Sequence, residues 1–152
     1  MFPKKSISLR ISLFLLALAM TSDAAALEIT TAMRQGRDFR GSKFGNGGGY
    51  AEFAVHDYKL TPAMVYTVNY GLAGLIKAHQ QVFKRKVGRN FRVRFRIFGK
   101  FEDYKEYSKV RYGKTVEKNL LGFFSGSTKE IVSWKQDPRL TWRLVPTLLH
   151  EG

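Results

Sequence analysis

The last residues of the chain hold the side chains whose types and spacing could do chemistry. The sequence ends with His150, Glu151 and Gly152 after an apolar helical run, and this is how the zinc-binding pattern H-E-x-x-H begins. Two histidines four residues apart share one helical face and can bind one Zn²⁺, while the glutamate between them polarises the attacking water. The second histidine would be residue 154, and the sequence has 152 residues. Because a His-Glu pair alone recurs by chance, the order of the preceding elements has to carry the interpretation.

Hydrophobic periodicity predicts a strand and a long helix early in the chain. The strand covers Tyr50 to His56, and the helix begins at Thr61, which can cap free amides, followed by Pro62 in the first turn. Gly88 marks its end. The apolar stripe of this helix comprises Val65, Val68, Leu72, Leu75, His79 and Val82. A lone histidine among aliphatic residues is more often a packing residue than a metal ligand, so we predict packing for His79.

The second half of the chain predicts two further helices and three strands. The clearest strand is Phe91 to Phe98, where Phe91, Val93, Phe95 and Ile97 alternate with Arg92, Arg94 and Arg96. A helix over about Phe101 to Tyr112 is predicted to end near Gly113. Two strands, Gly122–Ser125 and Thr128–Trp134, are predicted to join at the Gly126-Ser127 turn. A last helix is either capped by Thr141 or begins at Pro146. We therefore predict an α+β fold with a long helix and a mixed or antiparallel sheet that includes a hairpin.

The order of these elements resembles a known family. The matching segments are Phe101-Glu102-Asp103-Tyr104, Leu121-Gly122-Phe123-Phe124, Ile131-Val132-Ser133-Trp134 and Thr147-Leu148-Leu149-His150-Glu151. With these segments the chain resembles the gluzincin-like "peptidase MA-like" proteins of bacteria, many of which are exported. The likeness covers about Tyr50 to Gly152, the first half of such a domain, and it ends at the start of the zincin-type active-site helix.

The resemblance implies a role for His150 as the first zinc ligand and for Glu151 as the general base. It also implies zinc as the cofactor and a peptide or protein as the substrate of the full-length family. A catalytic zinc needs three protein ligands and an open position for water, and the second histidine and the third ligand would lie beyond residue 152. His56 or His79 could be recruited only if the fold brought them beside the end of this helix.

Two expectations about the product follow from this incomplete site. Whether the chain is an enzyme stays open, but we expect no peptidase activity from the 152 residues themselves. We also expect a marginally stable or aggregation-prone product, because the apolar face of the zinc helix would lack partners.

The N-terminus predicts export. Lys4, Lys5 and Arg10 precede an apolar run from Ile11 to Met20, and small residues at 24–26 suit cleavage after residue 26. The alternative is a membrane anchor, but ten residues reach only about 15 Å, half of a hydrocarbon core. We therefore predict a signal peptide over residues 1–26, a mobile glycine-rich leader over 27–49 and a partial zincin-like domain over 50–152. The product would be periplasmic or extracellular. The chain has no cysteine, so no disulfide can stabilise it.

Charge supports a different class of function. Three of the 26 basic and one of the 12 acidic residues lie in the predicted signal, so the remaining 126 residues carry a net charge of +12. No acidic residue occurs between Lys59 and Phe101. The basic tract of this region comprises Lys84, Arg85, Lys86, Arg89, Arg92, Arg94 and Arg96. These residues predict, as the alternative function, an exported binding protein for polyanions such as an anionic envelope polymer, lipid or nucleic acid. A solvated basic face without a specific ligand is the plainer interpretation.

Overall fold

Five strands form one mixed sheet, and helices cover both of its faces. The computed structural model describes residues 27–135 and 144–151, with only the backbone at residue 151. The strands are β1 (Arg40–Phe44), β2 (Gly47–His56), β3 (Val93–Phe98), β4 (Gly122–Ser125) and β5 (Glu130–Trp134). The helices are α1 (Thr31–Gln35), α2 (Pro62–Phe83), α3 (Phe101–Tyr112) and α4 (Leu144–Glu151).

The strands lie in the order β1-β2-β3-β5-β4. β2, β3 and β5 are parallel, while β1 and β4 pair antiparallel at the two edges. The predicted α+β class with a mixed sheet is therefore confirmed. The predicted hairpin is present as β4 and β5, although β5 begins at Glu130, two residues later than expected.

One face of the sheet packs against α2 and α4. Phe53, Phe95 and Ile131 lie side by side on three neighbouring strands and point to this face. They pack against Val68 and Leu72 of α2 and against Leu144 and Leu148 of α4. This is the larger of the two cores, and it holds the C-terminal helix in place.

The opposite face packs against α1 and α3, so β3 is covered on both sides. Phe98 and Val132 point to this face and contact Tyr104 and Tyr107 of α3, together with Met33 of α1. Apolar residues and arginines do alternate along β3, but the face that carries the arginines packs against helices and is not open to solvent. This matters for the arginines of β3, which point to the same side as Phe98.

The long helix begins as predicted but ends earlier. The Thr61 hydroxyl accepts a hydrogen bond from the Met64 amide at the start of α2, and Lys84 closes the helix in a left-handed conformation with φ 54°. Only the first half of the predicted stripe is buried. His79 is exposed and touches the ring of Phe83, so the prediction that it packs in the core is wrong.

Residues 27–49 belong to the fold rather than to a leader outside it. They form α1, β1 and the start of β2, and the predicted boundary at residue 50 falls inside β2. Gly49 is buried, and a side chain at this position would overlap Ser42 and Asn69. Gly49 therefore allows the chain to pass close to α2, whereas the abundance of glycine in this region alone resembles a linker.

The remaining elements differ from the sequence predictions only at their ends. α3 has the predicted bounds and stops at Gly113 in a left-handed conformation with φ 65°. α4 begins at Leu144, two residues before Pro146. The proposed cap Thr141 and the predicted signal peptide lie outside the described residues. Among the residues that are described, no helix is long and apolar enough to cross a membrane.

Candidate functional site

The helix that carries His150 is anchored in the core. Leu144 and Leu148, four residues apart, are 5% and 0% exposed and face the sheet. α4 also lies close to α2 at Gly71, where an added Cβ would come within 2.7 Å of the Leu149 side chain. These contacts fix the helix, while His150 near its end remains exposed.

His150 lies between two open cavities. One, of about 510 Å³, separates α4 from the second half of α2 and is also lined by Leu75, His79 and Leu149. The other, of about 360 Å³, lies between α4 and the edge strand β4 and is lined by Leu121, Gly122, Pro146 and Thr147. The imidazole can therefore be reached from the α2 side and from the sheet edge.

The described residues do not complete a catalytic zinc site. His79 lines the same cavity as His150, which gives two imidazoles on one opening. Within residues 27–135 and 144–150, however, no group of three or more His, Cys, Asp or Glu side chains could hold a metal ion. Three protein ligands are required for catalysis by zinc, so no hydrolytic step can be assigned to these side chains. Glu151 is the last residue of α4, and the structure describes only its backbone.

His56 is unavailable as a further ligand. Its ring stacks on Phe98 with centroids 4.9 Å apart, on the face of the sheet opposite to α4. Its Nε2 lies 2.9 Å from Nη1 of Arg96 and 3.6 Å from Oδ2 of Asp38. Burial, followed by the charge of Arg96, lowers the pKa of His56, so the neutral ring accepts a hydrogen bond from the guanidinium.

The basic tract is divided by the fold. Lys84, Arg85, Lys86, Arg89 and Arg92 are exposed in and beside the connection from α2 to β3. Arg94 is half-buried and donates from Nε to Oε2 of Glu52 at 3.0 Å. Arg96 is fully buried. The three arginines Arg92, Arg94 and Arg96 therefore do not form one exposed surface for a polyanion, because the fold buries Arg96 and leaves Arg94 only partly exposed.

Arg96 is the centre of a buried charged network. Its Nη1 and Nη2 donate to both oxygens of Asp38, at 2.5 and 3.0 Å, and its Nε donates to Glu130 at 3.1 Å. The guanidinium also lies over the rings of Phe39 and Tyr107 at 4.7 and 4.8 Å. Burial alone would lower the pKa of Arg96, but the Asp38 hydrogen bond and the Glu130 charge raise it overall. The residue is permanently charged and fully paired.

Two tyrosines complete this network on the α3 side. The hydroxyls of Tyr107 and Tyr112 both donate to Oε1 of Glu130, the first at 2.8 Å. Burial, together with the Glu130 interaction, raises the pKa of Tyr112 to about 12. Glu130 thus receives hydrogen bonds on both oxygens, as a buried carboxylate requires.

Comparisons with protein-family models, curated proteins and solved structures found no match to this chain. The family resemblance of the sequence therefore stays a prediction.

Sequence reasoning missed Asp38 and Glu130. A usable signal was present for Glu130, which directly precedes the apolar pair Ile131-Val132 in a chain with only 12 acidic residues. An acidic residue in a buried strand requires a cation, and β3 offers arginines at alternate positions. No such pattern predicts a buried role for Asp38, because it lies in the connection between α1 and β1 and not beside an apolar strand.

Proposed function

We propose that this chain is the N-terminal part of an exported zinc metallopeptidase-like domain, with His150 as the first zinc ligand and Glu151 as the general base. The observation that carries the proposal is the placement of α4. Its apolar face is fixed in the core by Leu144 and Leu148, whereas His150 is exposed between two cavities. A helix that presents a metal ligand needs this combination of a rigid base and an open end.

The neighbouring sheet edge supports a peptide as the substrate class. β4 is the last strand in the sheet order, so within the described residues one side of its backbone has no strand partner. An extended peptide can bind such an edge through main-chain hydrogen bonds. The cavity between Gly122 and His150 would bring a peptide bound at this edge close to α4.

The residues described here provide one ligand of the proposed zinc site, so the proposal includes the absence of peptidase activity from residues 27–152 by themselves. We expect that isothermal titration of this chain with ZnCl₂ gives no stoichiometric binding below micromolar dissociation constants. Tight stoichiometric binding would contradict this part of the proposal.

The decisive test of the proposal is the coding DNA after codon 152. We expect a reading frame with a histidine codon two positions on. A chain extended by that sequence should bind one Zn²⁺, and His150→Ala should abolish binding while the matched variant His79→Ala retains it. No histidine in any frame, or equal zinc binding by the His150→Ala chain, would overturn the proposal.

A second function, the binding of polyanions, is favoured by the exposed part of the basic tract. Five of its seven cations are exposed, and the sequence between Lys59 and Phe101 holds no acidic side chain to neutralise them. A specific site would retain heparin or DNA above about 0.5 M salt, where diffuse attraction is screened.

The matched variants for this second function remove three positive charges each. Lys84→Gln/Arg85→Gln/Lys86→Gln changes the exposed tract, whereas Lys105→Gln/Lys109→Gln/Lys118→Gln changes exposed lysines elsewhere. A specific tract predicts earlier elution from heparin for the first variant only. Equal elution of both variants would indicate a general effect of net charge.

A further inference from the structure

A small polar cavity lies on the face of the sheet opposite to α4. Its volume is about 100 Å³, which is roughly three times the share of liquid volume of one water molecule. It lies among the end of α1, the end of α3 and the turn between β4 and β5. Its polar lining includes the side chains of Arg34, Arg94, Arg111, Ser127, Thr128 and Glu130.

We propose that this cavity binds a small tetrahedral oxyanion, with inorganic phosphate or sulfate as the simplest examples. The site is independent of the proposed zinc helix, since the two lie on opposite faces of the sheet. Guanidinium groups recognise oxyanions through charge-assisted hydrogen bonds, and hydroxyl groups can add further donors. The cavity supplies Arg34, Arg94 and Arg111 as cations and Ser127 as a hydroxyl, whereas the Thr128 hydroxyl already donates to Tyr112.

The strongest observation is a buried donor without a partner. Nε of Arg111 is shielded from solvent and forms no hydrogen bond within the described residues. An unpaired buried donor is unfavourable, and it is more so in a charged side chain. Because Arg111 lines the cavity, an anion bound there would lie next to a guanidinium that has an unsatisfied donor.

The charges around the cavity also favour an anion. The nearby carboxylates are already paired, since Glu52 binds Arg94 while Asp38 and Glu130 bind Arg96. Arg34 and Arg111 form no ion pair among the described residues. Their two positive charges therefore remain available.

Arg34 and Arg111 also have a purely structural explanation. Both lie in the last turns of helices, α1 and α3, where a positive charge interacts favourably with the carbonyl end of the helix. That interaction explains the charges but requires no burial of Nε. The terminal nitrogen of Arg94 also approaches this region, because Nη1 lies 3.6 Å from the Cβ position of an alanine at residue 36. Three arginines from three separate elements thus line one small cavity.

The test uses inorganic phosphate with residues 27–152 at pH 7 and constant ionic strength, balanced with chloride. We expect a saturable rise in the midpoint of thermal unfolding with phosphate, because a ligand of the native state stabilises it. Sulfate should compete with phosphate. Since phosphate and sulfate also stabilise proteins generally by exclusion from the surface, variants are needed for the assignment.

Arg111→Gln and Arg34→Gln each remove one lining guanidinium, and Arg85→Gln removes an exposed one elsewhere. Loss of one charge-assisted contact should weaken phosphate binding about tenfold, so both cavity variants should lose saturation in the range where Arg85→Gln keeps it. Arg34 is exposed, so Arg34→Gln gives a result even if Arg111→Gln does not fold. A phosphate response that is linear, or equal in the Arg34→Gln and Arg85→Gln chains, would overturn the proposal.

Discussion

At the scale of single residues, Arg92, directly before β3, and Arg96, inside β3, show how the fold assigns different roles to one residue type. Arg92 and Arg96 are four positions apart and would look equivalent in an alternating strand. Arg92 is exposed and donates to nearby backbone carbonyls of its own segment. Arg96 is 0% exposed and binds two carboxylates. Only Arg92 remains available to a ligand in solution.

This difference predicts opposite results for one substitution. Arg96→Met should destabilise the fold by about 3 to 5 kcal/mol, because it leaves the buried carboxylate of Glu130 and the partly buried carboxylate of Asp38 without a cation. Arg92→Met should stay within about 0.5 kcal/mol of the unsubstituted chain. Urea unfolding at pH 7 measures both. Similar losses for the two variants would show that the network does not contribute as described.

His56 predicts a dependence of stability on pH. Its pKa is lowered by burial and by Arg96, so below about pH 6.5 the unfolded chain binds a proton more readily than the folded chain. The free energy of unfolding should therefore fall as pH decreases from 7 to 5, by at most about 1.4 kcal/mol per pH unit for this proton. His56→Gln retains a hydrogen-bond acceptor and should reduce this slope.

The control for this pH effect is His79→Gln, which removes an exposed histidine. It should leave the slope of unfolding free energy against pH unchanged. A slope that is the same in the His56→Gln chain and in the unsubstituted chain would contradict the role assigned to His56.

Part of the candidate site could be predicted from residue types, and part could not. The apolar run before His150 correctly predicted a helix. The burial of Arg96 could not be predicted from local pattern, because its partners Asp38 and Glu130 lie 58 and 34 residues away. Whether the polar face of a strand is exposed to solvent or buried depends on elements that are distant in the sequence.

At the scale of elements, the packing of α4 on α2 depends on one glycine. Gly71 and Gly74 lie in the same helix, but only at Gly71 would a Cβ approach Leu149, at 2.7 Å, whereas the space around Gly74 is open. Replacing a glycine by alanine inside a helix stabilises it by about 0.5 to 1 kcal/mol where space allows.

Gly74→Ala should therefore raise the free energy of unfolding, while Gly71→Ala should give less or none of this gain because Leu149 has to move. Chemical denaturation of both variants measures the difference. Gly71→Leu should be clearly destabilising, since its side chain cannot be accommodated against α4. Equal stabilisation by both alanine variants would contradict the close packing that positions His150.

The helices and strands could largely be predicted from the sequence where local residues mark their ends. The α3 helix has strong end signals, with Gly113 at its C-terminus, and its bounds were correct. α1 and β1 were missed because their region is rich in glycine and has little apolar periodicity. β1 is defined by its pairing with β2 and by the Asn69 amide of α2, which donates to the Ser42 hydroxyl at 3.0 Å. These are tertiary contacts, and local sequence does not encode them.

At the scale of the whole molecule, an exposed apolar surface extends along the second half of α2. The second half of α2 and the following connection expose Leu75, Val82, Phe83 and Phe91. Leu75 and Phe91 line the cavity that reaches His150. Val82 is 71% and Phe83 is 61% exposed. Contiguous exposed apolar side chains favour association between molecules.

This surface predicts self-association of residues 27–152 in spite of a net charge that opposes it. Val82→Gln/Phe83→Gln removes apolar area without changing charge, so light scattering coupled to size exclusion should show a smaller average mass at equal protein concentration. Val110→Gln/Leu120→Gln changes two exposed apolar residues outside the patch and should leave the mass as it was.

We also expect no cooperative thermal unfolding above about 60 °C for any of these chains, since the core supports only one end of α2. A monomeric unsubstituted chain with a cooperative transition above that temperature would show that the apolar surface is compatible with a stable, complete fold.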